Sequence, residues 1–65
     1  AAERHFIALA RIRPDDADAH ANLGNVLLLT GRAREAAERF ETALRLRPGD
    51  DRLRESLAAA RRADR

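Results

Sequence analysis

The side chains that could bind a metal ion are few and lie far apart in the sequence. The two histidines, His5 and His20, are predicted to lie on different helices. A metal site on a helix needs ligands one turn apart, such as two histidines at positions i and i+4. We therefore expect no metal ion, with His20 in a helix interface and His5 exposed to solvent.

Nucleophilic catalysis has equally little support in the sequence. Ser56 is the only serine, it has no histidine and acid nearby in sequence to suggest a triad, and the chain contains no cysteine. Glu35, Glu38 and Glu41 have the spacing of a solvated helix face. The three glycines are isolated and form no phosphate-binding loop. The sequence predicts a protein that is not an enzyme and has no cofactor.

The composition predicts a small all-α protein. Of its 65 residues 37% are charged, yet the formal net charge is only +2, and the two signs are interspersed. Such a pattern is typical of a solvated surface rather than of a surface for polyanions. Alanine, leucine, arginine and glutamate dominate, and all four favour helices. The longest run of large apolar residues, 26–29, is too short to span a membrane, so we expect no membrane partner. A cytoplasmic location is the default expectation; a periplasmic or secreted one stays open.

Prolines, glycines and acidic residues divide the chain into helices. Pro14 and Pro48 each end a helical segment, and either Asp15 or Asp16 is placed to cap the next one. Gly31 stands where a left-handed residue ends a helix, whereas Arg32, before the following helix, is a poor cap. Within that helix we expect two i,i+4 ion pairs, Glu35 with Arg39 and Glu41 with Arg45. The predicted helices cover about residues 1–13, 17–30, 33–46 and 51–65.

The first part of the chain repeats later at a distance of 34 residues. The identical pairs are Ala2–Ala36, Phe6–Phe40, Arg11–Arg45, Arg13–Arg47, Pro14–Pro48 and Asp16–Asp50. Residues 51–65, by contrast, share little more than Leu57 with their counterparts. A period of this length indicates a solenoid of stacked helix pairs.

The central unit resembles the tetratricopeptide repeat, whose pattern is W-x2-L-G-x2-Y…A-x3-F…P over 34 residues. The pattern positions are occupied by His20, Leu23, Gly24, Leu27, Ala36, Phe40, Ala43 and Pro48, with His20 and Leu27 departing from the usual Trp and Tyr. The resemblance implies an antiparallel helix-hairpin solenoid, about four helices in a right-handed superhelical fragment. Residues 1–16 would be the second helix of a partial repeat, 17–50 a complete repeat and 51–65 a capping helix.

The resemblance also implies a non-catalytic scaffold that binds a peptide or a helix of another protein in a concave groove. Carried over from the family, the groove positions are Asp18, Ala21, Asn22, Asn25, Leu28 and Leu29, joined by Arg52 on the last helix. The asparagines could hydrogen-bond an extended peptide, and the leucines could either be exposed or pack on a neighbouring helix. Chaperone-binding members hold a peptide carboxylate with basic and Asn side chains, but Ser56 replaces one basic residue, so the clamp is incomplete.

Two alternatives remain at this point. The apolar residues Ala2, Phe6 and Leu9 begin the chain without a hairpin partner, so we expect either a piece of a longer protein or a self-associating one. In the second case the function is self-assembly, as a homodimer or higher oligomer. Weak nucleic-acid binding through Arg11, Arg13, Arg45 and Arg47 is a further alternative, although no stacking aromatic residues accompany these arginines.

Overall fold

The computed structural model describes residues 15–64, and these residues form three α-helices. Helix α1 spans Ala17–Leu29, α2 spans Ala33–Leu46 and α3 spans Asp51–Ala63. The described residues contain no β-strand. The predicted bounds of these helices are confirmed except for the last residues of α1 and α3. The predicted helix over residues 1–13 lies outside the described residues, and so does the predicted self-association face, with His5, Arg11 and Arg13.

Aspartates cap the amino ends of α1 and α3 in the same way. Asp16 Oδ1 accepts hydrogen bonds from the backbone N–H groups of Asp18 (3.0 Å) and Ala19 (3.3 Å). One repeat length later, Asp50 Oδ1 accepts from the N–H groups of Arg52 (2.9 Å) and Leu53 (3.3 Å). Each cap satisfies backbone donors that the first helical turn leaves without a partner.

A glycine ends α1 and reverses the chain. Gly31 has φ of 80°, in the left-handed region that glycine adopts without a steric penalty. Its N–H donates to the carbonyl of Leu28 (3.2 Å), and the N–H of Arg32 donates to the carbonyl of Leu27 (2.8 Å). These are the two bonds of a Schellman motif. Helix α2 starts directly after it, without a side-chain cap at Arg32.

Helices α1 and α2 pack as an antiparallel hairpin around Phe40, which is fully buried. The ring lies directly against α1 at Gly24, where a Cβ atom would be only 2.8 Å from Cε1 of the ring. Ala36, one turn before Phe40, and Ala43, one turn after it, are also fully buried. Small residues therefore bring the two backbones close together, and one large side chain fills the remaining space.

Helix α3 packs against α2, also antiparallel, and has little contact with α1. Leu53 and Ala60 are the buried residues of α3. Two exposed ion pairs also join α3 to α2, Arg34 with Asp64 and Arg61 with Glu41, both at 3.6 Å. The result is an all-α, antiparallel helix-hairpin solenoid. Its continuous core consists of Ala17, Leu23, Leu27, Ala36, Phe40, Ala43, Leu53 and Ala60.

The prediction of two i,i+4 ion pairs within α2, Glu35 with Arg39 and Glu41 with Arg45, is wrong. Glu35 binds Arg32, one turn towards the amino end, through two hydrogen bonds of 3.1 and 2.8 Å. Glu41 faces Arg61 on α3, and the Arg45 guanidinium donates to Thr42 Oγ1 (3.1 Å). Each carboxylate has an alternative cation within reach, and the i,i+4 rule takes no account of residues outside the helix.

Candidate functional site

One face of α1 is lined with exposed side chains. The exposed positions are Asp18, Asn22, Asn25 and Leu29, separated by four, three and four residues. This spacing places them on a single stripe along the helix. Ala21 lies beside the stripe and is half-buried, packed against the core. Four of the seven residues predicted for the concave groove therefore share one exposed face.

Asp18, Asn22 and Asn25 of the stripe line one wall of a groove, and the amino-terminal half of α3 forms the other wall. The groove has a volume of about 270 Å³. It is lined by Asp18, Ala21, Asn22, Asn25, Arg47, Asp50, Arg52, Leu53 and Ser56. Arg52 and Ser56 stand one repeat length after Asp18 and Asn22, so that the two walls present corresponding positions of successive first helices.

Asp18 is held by Arg47 across the open end of the hairpin. The guanidinium donates to both carboxylate oxygens, with Nη1 2.9 Å from Oδ1 and Nη2 3.3 Å from Oδ2. The bond joins the first turn of α1 to the residue that follows α2. Both side chains are more than half exposed, so the pair contributes at most about 1 kcal/mol to stability. Its main effect is to neutralise the two charges at this end of the groove.

Arg52 is the groove arginine whose guanidinium forms no ion pair with the described residues. Its backbone N–H takes part in the α3 cap, but its guanidinium forms no ion pair or hydrogen bond with residues 15–64. The nearby Asp50 carboxylate already accepts two backbone N–H groups. An acidic group on a bound molecule can therefore pair with the Arg52 guanidinium without breaking an existing ion pair.

The two leucines at the carboxyl end of α1 have different environments. Leu29 is 87% exposed, whereas Leu28 is half-buried and packs against the core. Of the two, only Leu29 offers a large exposed apolar surface at the end of the stripe. Leu28 instead has the packing role that the sequence left as its alternative.

The groove can form hydrogen bonds and charge interactions. Its polar groups are the carboxylates of Asp18 and Asp50, the guanidinium groups of Arg47 and Arg52, two carboxamides and a hydroxyl. His20, the histidine of the described residues, is only 5% exposed in the α1–α2 interface and does not line the groove. Between residues 15 and 64, no cluster of three or more His, Asp or Glu side chains is placed to hold a metal ion. No helix in the same range is long and apolar enough to cross a membrane.

Sequence reasoning missed part of the groove lining. Ser56 follows from the repeat, because it stands one repeat length after Asn22. Arg47 and Asp50 belong to the turn between α2 and α3, and their position beside α1 depends on how the hairpin closes. No local pattern in the sequence links Arg47 to Asp18.

Comparison with known proteins gives one match that covers most of the chain. The family model described as Tetratricopeptide repeat matches residues 1–60. Neither the curated proteins nor the solved structures contain a significant match. Repeats of this family generally mediate protein–protein interactions and are typically non-catalytic. The match agrees with the hairpin geometry, with Gly24 against Phe40 and with the solenoid order of the helices, and the chain belongs to the tetratricopeptide repeat family.

Proposed function

We propose that this chain is a non-catalytic protein-interaction module that binds an extended peptide of a partner in the groove between α1 and α3. The observation that carries the proposal is that Asn22 and Asn25 line the same groove as Arg52, with the exposed Leu29 further along the same stripe of α1. These side chains are held on helices, so they need little reordering to bind a ligand.

The two asparagines support an extended peptide rather than a helix as the ligand. Each carboxamide has two N–H donors and an acceptor oxygen, which match the free N–H and C=O groups of an extended backbone. A helix already satisfies these groups internally and would leave both carboxamides without partners. Neither Asn22 nor Asn25 forms a side-chain hydrogen bond with residues 15–64, so both are free to bind.

Charge and apolar surface give the expected peptide a direction. Arg52 at one end of the groove attracts an acidic residue, and Leu29 at the other end of α1 offers an apolar contact. The peptide class that fits has an acidic residue separated from an apolar residue by a short segment of main chain.

The two alternatives gain no support from the described part of the chain. Self-assembly was predicted from Ala2, Phe6 and Leu9, which lie outside it. Nucleic-acid binding relied on Arg11 and Arg13, which also lie outside it, and on Arg45 and Arg47, of which Arg47 is paired with the Asp18 carboxylate.

A random peptide library displayed on phage and selected on the immobilised chain tests the proposal. We expect enriched peptides with an acidic and an apolar residue. For a synthetic copy of such a peptide, Asn22→Ala and Asn25→Ala should each weaken binding about three- to tenfold, because each removes about one hydrogen-bonding group. Arg52→Ala should reduce the affinity for the peptide more at low salt than at high salt.

Glu38→Ala is the matched control, since Glu38 is an exposed residue of α2 and does not line the groove. It should leave the affinity unchanged. Circular dichroism should show the same melting curve for all four variants. Equal affinities for Asn22→Ala, Asn25→Ala and Glu38→Ala would exclude the groove as the binding site.

A further inference from the structure

A second groove lies on the opposite side of α3, between α3 and the carboxyl half of α2. It has a volume of about 450 Å³ and we call it the outer groove. Its floor is apolar, formed by Leu44, Pro48 and Leu57. Leu44 and Leu57 are half-buried against the core, so part of each side chain remains open to solvent. None of the outer-groove residues lines the concave groove.

The rim of the outer groove is positively charged. Arg45, Arg54 and Arg61 line it together with one acid, Glu41. Arg61 faces Glu41 at 3.6 Å, and Arg54 faces Asp51 at 3.3 Å, whereas Arg45 has no acid beside it in the described residues. The side chains of Arg54 and Arg61 remain 62% and 64% exposed. The floor therefore attracts an apolar surface and the rim attracts acidic side chains.

The internal repeat shows what normally covers such a face. One repeat length earlier, the positions of Arg54, Leu57 and Arg61 are occupied by His20, Leu23 and Leu27. All three are buried, at 5%, 1% and 3% exposure, and Leu23 and Leu27 belong to the core formed with residues of helix α2. A helix is thus the shape that fits this face, because a helix fills the equivalent place in the central hairpin.

The same comparison argues against a helix that, like α2, has a phenylalanine at the point of closest contact. Phe40 approaches α1 closely only because Gly24 has no side chain there, and the corresponding residue of α3 is Ala58. Ala58 is exposed, next to Arg54 and Arg61 on the helix surface, and its Cβ would keep a phenylalanine further out. The buried His20 and Leu27 of α1 correspond to Arg54 and Arg61 of α3. These arginines would repel a basic helix.

A second copy of this chain fits the outer groove poorly for both reasons. Its residues 1–14 align with residues 35–48 at one repeat length, with Phe6 opposite Phe40, so docking in the manner of α2 would place a phenylalanine at Ala58. They also contain Arg4, Arg11 and Arg13 with Glu3 as the single acid, and these arginines would meet an arginine-rich rim. Like charges brought together at an interface oppose association.

We propose that the outer groove binds an amphipathic helix of a partner protein, whose apolar stripe is flanked by acidic residues. The apolar stripe covers Leu44, Pro48 and Leu57, and the acidic residues pair with Arg45, Arg54 and Arg61. This surface is separate from the concave groove, so the proposal does not depend on peptide binding there.

Two synthetic helices test the charge requirement. Each has about 18 residues, or about 27 Å, which exceeds the length of α3, and both have the same leucine stripe. One has glutamates flanking the stripe and the other has lysines. Titration into the isotopically labelled 65-residue chain should show binding of the glutamate helix, with shifts of the Leu44 and Leu57 methyl signals. The side-chain amide signals of Asn22 and Asn25, in the concave groove, should not move.

Adjacent arginines provide a matched pair of variants. Arg61 lines the outer groove, whereas Arg62 is exposed and does not. Arg61→Glu should weaken binding of the glutamate helix about fivefold or more, since it replaces an attraction by a repulsion, and Arg62→Glu should change it less than about twofold. Arg54→Glu should act like Arg61→Glu. All three side chains are exposed, so the fold should survive each change.

Several results would overturn the proposal. The glutamate helix could fail to bind at millimolar concentration, or the lysine helix could bind equally well. The shifts could fall on Asn22 and Asn25, which would assign the helix to the concave groove. A peptide of residues 1–14 could bind more tightly than the glutamate helix, which would make a second copy the occupant.

Discussion

At the scale of single residues, Gly24 determines how closely α1 and α2 approach. Three ring atoms of Phe40 lie within 3.0 Å of the place where a Cβ would stand at Gly24. The ring is fully buried and rigid, so it cannot move aside at little cost. A methyl group at this position must push the backbones apart or force the ring out of its rotamer.

Gly24→Ala should therefore destabilise the protein even though alanine favours helices. The gain in helix propensity is about 1 kcal/mol. Overpacking in a well-packed core typically costs about 1–3 kcal/mol and occasionally more. With a rigid ring at 2.8 Å we expect a cost near the upper end and a net loss of about 1–2 kcal/mol in the free energy of unfolding. Urea denaturation followed by circular dichroism measures this change.

Gly49→Ala is the control for that experiment. No atom lies within 4 Å of the Cβ position at Gly49, and its φ is not positive. The substitution should be neutral or stabilise the protein by up to about 1 kcal/mol, by restricting the unfolded chain. If Gly24→Ala raised the urea midpoint as much as Gly49→Ala does, the close packing of Phe40 on α1 would be wrong.

Single side chains were also the level at which the sequence was least informative. The residues of the stripe follow from the family pattern, and in the structure they lie on one face of α1. The ion-pair partners of Glu35, Glu41 and Asp18 could not be predicted from the sequence pattern. Each is an exposed group with several cations within reach, and differences well below 1 kcal/mol decide among them. Their choice depends on the neighbouring helix and on chain reversal, which local spacing does not encode.

At the scale of elements, the helix bounds were predictable because each boundary has a local chemical cause. Asp16 and Asp50 cap the starts of α1 and α3, and Gly31 supplies the left-handed residue after α1. These effects act within four residues of the boundary, so sequence alone is sufficient to locate them. The end of α3 was less well placed, since neither Asp64 nor Arg65 is a glycine or proline that would mark it.

Asp50→Ala tests whether the caps contribute to stability. The substitution removes the acceptor for the N–H groups of Arg52 and Leu53, and typical losses for such caps are about 1 kcal/mol. We expect a lower thermal midpoint and fraying of the first turn of α3, seen as faster amide exchange at Arg52 and Leu53.

Asp15→Ala is the matched control for the cap experiment. Asp15 is exposed, adjacent to the other capping aspartate, and caps no helix. Its replacement removes the same charge and should change the thermal midpoint much less. Equal effects of Asp15→Ala and Asp50→Ala would attribute the loss to net charge rather than to capping.

At the scale of the whole molecule, the repeat places two first helices next to each other and so creates the groove between them. Asp18 and Asn22 of α1 correspond to Arg52 and Ser56 of α3, which makes the two walls chemically different. The α1 wall has two carboxamides, with Leu29 beyond its end, and the α3 wall has the guanidinium of Arg52, which forms no ion pair within residues 15–64. A groove of this kind would select a peptide by its charge and its direction. The outer groove on the other side of α3 differs from it in having a basic rim and an apolar floor.

The family pattern leads to the positions of a candidate groove but not to its ligand. The hairpin geometry depends on a few small and large residues, such as Gly24, Ala36 and Phe40, which the family pattern specifies. Groove residues are free to vary without changing that packing, because they are exposed. Their chemistry limits the class of ligand but does not name a protein.

The position of a bound peptide tests the central claim most directly. We would measure intermolecular nuclear Overhauser effects between a library-selected peptide and the labelled chain. The account predicts contacts to the side-chain amides of Asn22 and Asn25 and to the methyl groups of Leu29. Contacts confined to Leu44 and Leu57, or spread over α2 away from both grooves, would contradict the assignment of the concave groove as the peptide-binding surface.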